Sequence, residues 1–148
     1  MKEKKYFYEV HYGYCAADDK EIVETFHLGY FSTAKKAAAA IEAVKEKPGF
    51  KNSGGHFETT KFAVTFPFEV QDKAKVVLYE ASHEYEDADG YDNWIVFGVY
   101  ATKGKALAEI EKERQKSPYK EHPEGFSITD VTINLLGWTE GFVPLDDD

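Results

Sequence analysis

The sequence predicts an α+β fold of two tandem strand–strand–helix–strand repeats that form one pseudo-two-fold unit, with antiparallel hairpins and helices packed on the sheet. Three observations predict it. Residues 28–66 align with residues 97–135 at a constant offset of 69, and 11 of the 39 positions are identical. Unrelated stretches would share roughly two or three. Both halves alternate apolar and polar residues in strand-like runs, and both contain one run with helical spacing.

The first repeat is expected to occupy residues 1–70. Its predicted strands are 6–14, 22–31 and 56–66. A turn is expected at 16–20, where two aspartates stand together. Thr33 is predicted to cap a helix over 34–46, because its hydroxyl can accept a hydrogen bond from a free helix N–H. Pro48 and Gly49 are expected to end that helix.

The second repeat and a tail are expected to occupy residues 71–148. Its predicted strands are 76–85, 94–100 and 126–136. The run DADGYDN at 87–93 predicts a hairpin turn, for which Asp89-Gly90 is the strongest signal. Thr102 is predicted to cap a helix over 103–116 that stops before Pro118. The apolar residues of the tail, 137–148, are expected to dock on the body of the protein.

Composition excludes several classes of protein. The 148 residues carry a formal net charge of −9, which disfavours nucleic-acid binding because that relies on Lys and Arg. A single cysteine, Cys15, excludes an internal disulfide framework and a cysteine-rich zinc site. The sequence contains no run of 18 apolar residues, so no membrane-spanning segment is predicted. Because the first residues also lack a secretory signal, we expect a cytoplasmic protein.

No metal site or cofactor is predicted. The run that starts at Asp87 departs from a calcium-binding loop, since glycine comes at position 4 and position 12 is Gly98. No pair of histidines has metal-binding spacing along a helix. His11 and His27 could meet across the first hairpin, depending on the register of the strands.

No catalytic residue is predicted either. The thiol of Cys15 precedes Asp18 and Asp19, whose charges oppose the formation of a reactive thiolate. The sequence contains no nucleophile elbow, phosphate-binding glycine loop or dinucleotide fingerprint.

Aromatic residues are concentrated in the second half of the chain. They are Tyr85, Tyr91, Trp94, Tyr100, Trp138 and Phe142. Two interpretations remain open for them. They either pack in the core, or form a binding surface, since tyrosine and tryptophan dominate the energetics of protein interfaces.

The motifs of the second repeat also resemble a known pattern. The repeat contains, in order, HEYE at 83–86, DGYD at 89–92, FGVYATKGKALAEI at 97–110, HPEGF at 122–126 and GWTEGF at 137–142. This order resembles that of a family of small, uncharacterised bacterial domains, which implies a lineage and no particular activity. The matching positions are His83, Glu84, Asp89, Gly90, Tyr91, Asp92, Gly125, Phe126, Trp138, Glu140 and Gly141.

These observations favour a non-catalytic protein-binding module. Its expected binding surface consists of His83, Glu84, Tyr91, Trp94, Trp138 and Glu140. The acidic charge favours a basic partner, and one concrete version is an immunity-type protein that blocks a basic toxin. The alternative is a small-molecule binding protein or an enzyme with a cleft between the repeats. A third possibility is a homodimer that pairs its sheet edges, so the expected state is a monomer or a homodimer.

Overall fold

The computed structural model describes residues 2–15, 22–51 and 55–137 and has the predicted α+β fold. Two three-stranded antiparallel sheets each accompany one long helix, so the two halves of the chain are similar. The predicted turn at 16–20 and the tail from residue 138 onwards lie outside the described residues. No helix in the described ranges combines the length and the apolar character that a membrane crossing requires.

The order of elements is the same in both halves. The first half contains β1 (Glu3–Cys15), β2 (Ile22–Phe31), α1 (Ala34–Val44), a short α2 (Pro48–Lys51) and β3 (His56–Phe66). The second half contains a 3₁₀ turn (Lys73–Lys75), β4 (Val77–Glu86), β5 (Asp92–Tyr100), α3 (Lys103–Glu113), two further 3₁₀ turns (Tyr119–Glu121 and Pro123–Gly125) and β6 (Phe126–Thr132). The strand orders are β2-β1-β3 and β5-β4-β6, so the first strand of each repeat lies in the centre of its sheet.

The two hairpins contain the same irregularity at the same place. Val10 lies opposite Gly29, and the register of β1 against β2 shifts immediately after Val10. Ala81 lies opposite Gly98, and the register of β4 against β5 shifts immediately after Ala81. A β-bulge of this kind places two residues opposite one and increases the local twist. Its recurrence at equivalent positions supports the repeat.

The two long helices begin in the same way. Thr33 and Thr102 have nearly identical extended backbones, with φ/ψ of −141°/158° and −139°/156°. Each threonine Oγ1 accepts a hydrogen bond from the N–H three residues later, at 3.1 Å and 3.2 Å. Both predicted N-caps are therefore confirmed. Each helix ends where the capping N–H donates to the carbonyl of Ile41 or Ile110, which are also equivalent in the repeat.

The helices are shorter than predicted. α1 ends at Val44 and α3 at Glu113, two and three residues before the expected ends. Pro48 does not end α1; it opens the short helix α2 instead. Proline fits the first turn of a helix because the N–H that it lacks has no partner there.

The last strand is also shorter than predicted. β6 ends at Thr132 rather than at residue 136. The chain leaves the strand conformation at Asn134, whose φ of 67° lies in the left-handed region. Asparagine tolerates this region better than most residues, because its short polar side chain can bond locally.

The chain divides into two compact units that are not continuous in sequence. One unit contains Met1–Lys5 and Val64–Thr132, and the other contains Tyr6–Ala63 together with the segment that starts at Ile133. We call them the second-repeat unit and the first-repeat unit, after the repeat that supplies most of each.

Each unit has its own core between its helix and its sheet. In the first-repeat unit, this core includes the buried residues Val10, Tyr12, Leu28, Phe31, Ala37, Ala40, Val44 and Phe50. In the second-repeat unit, it includes Ala81, Ala106 and Ile110, with Tyr79, Phe97, Tyr100, Phe126 and Ile128 packed against them. The equivalent alanines Ala37 and Ala106 are both fully covered, so each helix approaches its sheet closely.

The segment after β6 completes the first-repeat unit. The N–H of Asn134 donates to the carbonyl of Tyr30 at 2.8 Å, and the N–H of Gly137 donates to the carbonyl of Leu28 at 2.6 Å. The Asn134 Oδ1 accepts from the N–H of the buried Ser32 at 2.9 Å. Asn134 thus satisfies backbone groups of β2 and of the β2–α1 connection from more than 100 residues away.

Candidate functional site

An aromatic and acidic surface lies at the hairpin between β4 and β5. Trp94 lies directly opposite Glu84 in the strand register, and Asp92 lies opposite Glu86. Directly opposed residues project from the same face of a sheet, so the indole has a carboxylate as its neighbour. Trp94 is 58% exposed, and Tyr91, in the adjoining turn, is 70% exposed. These five residues form the Trp94 surface.

The charge of this hairpin has a single sign. Residues 77–100 contain six aspartates and glutamates and no lysine or arginine. In the described residues, β5 forms one edge of its sheet and pairs with β4. An edge strand keeps backbone N–H and C=O groups that can pair with another chain. The hairpin therefore offers an exposed indole, a strand at the edge of its sheet as far as the described residues go, and negative charge in one place.

The turn is held by the carboxylate of Asp87. Its Oδ1 accepts from the N–H groups of Asp89 and Tyr91, both at 3.0 Å, and its Oδ2 accepts from Asn93 Nδ2 at 3.0 Å. Hydrogen bonds from Asn93 first, and then from Tyr91 and Asp89, hold the pKa of Asp87 below its ordinary value. Gly90 has a φ of 84°, as the predicted Asp-Gly turn requires. The turn thus fixes the position of Tyr91.

A small cavity lies beside the same hairpin. It has a volume of about 200 Å³. Its lining includes His83, Tyr85, Asn93, Trp94, Ile95 and Tyr119, and we call it the His83 cavity. His83 and Tyr85 lie in β4, while Asn93 and Ile95 lie opposite them in β5. Trp94 also borders the cavity, although its side chain projects from the face of β5 opposite to those of Asn93 and Ile95, because successive residues of a strand alternate between faces.

His83 is buried with one nitrogen unpaired. It is 1% exposed, and its Nε2 lies 2.8 Å from the carbonyl oxygen of His122. A carbonyl only accepts, so Nε2 carries the proton and Nδ1 of the neutral ring is an acceptor. Nδ1 is buried and has no hydrogen-bond partner among the described residues. Such a group costs free energy, about 1–3 kcal/mol in mutational data, unless a ligand or water satisfies it.

The rings around His83 hold it in place. Tyr119 and Phe126 contact it edge-on, with ring centroids at 4.9 Å and 4.6 Å. A Cβ added to Gly125 would lie only 2.8 Å from Nε2 and would overlap the carbonyl oxygen of Glu84. The imidazole therefore has little freedom to turn, and its unpaired nitrogen is a fixed feature of the cavity.

The residues predicted for the binding surface fall into three groups. Glu84, Tyr91 and Trp94 lie together and are exposed. His83 is buried, and it lines the adjoining cavity with Trp94. Trp138 and Glu140 lie outside the described residues.

A second cluster was anticipated only in part: His11 and His27, which the sequence allowed to meet across the first hairpin, do lie opposite each other, but their glutamate partners and His56 were not predicted. Glu9, His11, His27, His56 and Glu58 come from three strands of the first-repeat unit. The two oxygens of Glu9 lie 2.9 Å from the Nδ1 atoms of His11 and His27. The two oxygens of Glu58 lie 3.0 Å from His11 Nε2 and 3.1 Å from His56 Nε2. This His–Glu chain contains four consecutive hydrogen bonds.

The geometry favours the charged form of the central histidine. Both nitrogens of His11 face carboxylate oxygens, an arrangement that stabilises the ring with a proton on each nitrogen. Burial acts to lower the pKa of His11, but the hydrogen bonds and charges of Glu9 and Glu58 outweigh it, so the pKa rises above 6.5. Burial acts to raise the pKa of Glu9, but His27 and His11 outweigh it and hold that pKa below 4.5.

These opposite shifts predict a stability maximum in mildly acidic solution. The contribution of His11 to the free energy of unfolding is complete below pH 6.5 and is lost as the pH rises through its raised pKa. The contribution of Glu9 is complete above pH 4.5 and is lost as the pH falls through its lowered pKa. Between these limits, Glu9→Gln should destabilise the protein by about 1–2 kcal/mol and flatten the pH profile. Urea denaturation from pH 4 to pH 8 measures both effects.

The matched control is Glu42→Gln, which removes a carboxylate from an exposed pair with Lys45 in α1. Exposed pairs contribute little, so this variant should keep the wild-type pH profile. A Glu9→Gln profile that coincides with the wild-type profile would show that the His–Glu chain does not control the pH dependence.

No group of three or more histidine, cysteine, aspartate or glutamate side chains in the described ranges has an arrangement that could hold a metal ion. The side chain of Cys15 is not among those described. Comparison of the chain with protein-family models, with curated proteins and with solved structures gives no significant match. The resemblance to the bacterial family therefore stays a prediction, and any function rests on the geometry described above.

Proposed function

We propose that the chain is a protein-binding module that holds a positively charged partner on the Trp94 surface. The observation that carries the proposal is the exposure of Trp94 on an edge strand, directly opposite Glu84. Tryptophan is a frequent energetic centre of protein interfaces, where its large ring is covered on binding. Leaving a large apolar ring in water forgoes the free energy of its burial.

The charge distribution favours a basic partner. The six acidic residues of the β4–β5 hairpin meet no basic residue within that hairpin, and the whole chain has a net charge of −9. Such a field accelerates the approach of a basic partner and repels an acidic one. A second copy of the same chain fits less well, because pairing two β5 edges would bring the acidic hairpins together. A basic protein toxin is one partner with the required chemistry.

The test uses the labelled peptide acetyl-KVKVKVK-amide, which combines positive charge with the alternation of a strand. We expect Trp94→Ala to raise its dissociation constant about tenfold or more in fluorescence anisotropy, since an interface tryptophan commonly contributes over 1 kcal/mol. Affinity should fall as salt is added, because salt screens exposed charges.

Leu107→Ala is the matched control, because Leu107 is an equally exposed apolar residue, 51% accessible, on α3 of the same unit. It should leave peptide binding unchanged. The acidic peptide acetyl-EVEVEVE-amide should not bind. Equal losses in the Trp94 and Leu107 variants, or equal binding of the two peptides, would refute the proposal.

A further inference from the structure

We propose that the His83 cavity is a lysine pocket, which takes the side-chain ammonium group of a lysine carried by the partner. The inference rests on the proposed function for the source of that lysine. The pocket itself is defined by hydrogen-bond acceptors, aromatic rings and size, none of which depends on the partner.

Two side-chain atoms of residues that line the cavity can accept a hydrogen bond. Nδ1 of His83 has no partner among the described residues, and the proton on Nε2 leaves it as an acceptor. The amide nitrogen of Asn93 donates to Asp87 Oδ2 at 3.0 Å and to the carbonyl of Tyr91 at 3.1 Å. Since both partners are acceptors, the NH₂ group must face them, and the Asn93 Oδ1 is left to accept. A ligand for these atoms must therefore supply donors, and an ammonium group has three of them and no acceptor.

The walls favour a cation. Tyr85 and Tyr119 contribute aromatic rings to the lining, and aromatic faces attract ammonium groups. Among the described residues, the lining contains no lysine or arginine. The carboxylate of Asp87 lies one hydrogen bond behind the amide of Asn93, so its negative charge polarises the acceptor that the ligand would meet.

The size of the cavity favours lysine over arginine. Its volume of about 200 Å³ is below the roughly 300–1,000 Å³ of pockets for drug-sized ligands. A lysine side chain is a flexible four-carbon chain with a compact charge, whereas arginine presents a wide planar fork that needs paired acceptors in one plane. The acceptors of this cavity stand on two neighbouring strands and do not form a carboxylate pair. Because Trp94 lies on the edge strand that borders the cavity, a partner on the Trp94 surface can reach the cavity with a lysine around that edge of the sheet.

The first test titrates ¹⁵N-labelled protein with Nα-acetyl-lysine methylamide and with the matching norleucine derivative, which has the same carbon chain but no ammonium group. We expect saturable NMR shifts at Asn93, Trp94 and Tyr119 with the lysine probe only. His83→Phe and Asn93→Leu each remove one acceptor and should raise the dissociation constant at least tenfold, while Leu107→Ala should not change it. Identical shifts with both probes, or none with either, would overturn the inference in the wild-type protein, whatever the stability of the variants.

The second test separates this inference from the proposed function. In the peptide assay, acetyl-RVRVRVR-amide should bind at least tenfold more weakly than its lysine counterpart. If both peptides bind equally and Trp94→Ala weakens both, the Trp94 surface stands and the lysine pocket is refuted. If the lysine probe binds the cavity but neither peptide binds, the pocket stands and the proposed function is refuted.

Discussion

Asn134→Ala is expected to destabilise the first-repeat unit by about 2–3 kcal/mol, although residue 134 lies far from that repeat in the sequence. Alanine at a φ of 67° costs about 1–2 kcal/mol relative to a right-handed conformation. The substitution also removes the acceptor for the N–H of Ser32, a residue that is 2% exposed. A buried donor that loses its partner typically costs 1–3 kcal/mol.

Two further variants separate these contributions. Asn134→Gly restores the freedom of the backbone but not the acceptor, so it should be less destabilising than alanine. Asn134→Asp keeps the acceptor and should lie closest to the wild type. Hydrogen exchange at residues 28–32 measures the local effect, and chemical denaturation measures the total. An alanine variant as stable as the wild type would show that the segment after β6 contributes no stability to this unit.

Gly125→Ala is expected to destabilise the second-repeat unit by about 2–4 kcal/mol, within the range of buried steric clashes. The new methyl group would overlap the carbonyl oxygen of Glu84 and would approach His83 Nε2 and Cε1 to 2.8 Å and 3.0 Å. Backbone and a buried ring have little room to withdraw. The start of β6 must therefore move away from β4, and the bond from His83 to His122 should be lost.

Gly104→Ala provides a control of opposite sign. This glycine lies in α3, and an added Cβ would have no neighbour closer than 3.9 Å. Alanine in a helix should leave stability unchanged or raise it by up to about 1 kcal/mol. Thermal denaturation of the two variants and the wild type measures the change in stability that each substitution causes. A Gly125→Ala protein that melts with the wild type would show that β4 and β6 do not need their close approach.

Most of the architecture could be predicted because it depends on local signals that occur twice. Thr33 and Thr102 predict the starts of the two long helices, and the alternation of apolar and polar residues in each half predicts the strands. The ends of the helices were predicted less accurately. For α1 the reason is that Pro48 is compatible with either the end of one helix or the start of another. The end of β6 was missed because the left-handed backbone at Asn134 serves a contact with Ser32, 102 residues earlier.

The candidate site was harder to predict than the fold. An exposed Trp94 and a buried His83 both follow from alternation along β4 and β5, but the sequence does not say which face the helix covers. The His–Glu chain was anticipated only as a possible meeting of His11 with His27, for a different reason. The bulge after Val10 places His11 opposite His27, whereas an unbroken register would place it opposite Leu28. One extra residue in a strand changes every later pairing, and no sequence motif marks it. The repeat would have predicted the bulge after Val10 only if the equivalent bulge after Ala81 had already been observed.

The discontinuous first-repeat unit has a consequence for biosynthesis. Translation adds about 5–20 residues per second, so roughly 4–14 seconds separate the appearance of Ala63 from that of Ile133. During this interval, the hydrogen bonds that Gly137 and Asn134 later donate to the carbonyl groups of Leu28 and Tyr30 have not yet formed. The half of the protein that leaves the ribosome first is therefore the half that matures last, and a nascent chain arrested before residue 133 should remain a substrate for chaperones and proteases.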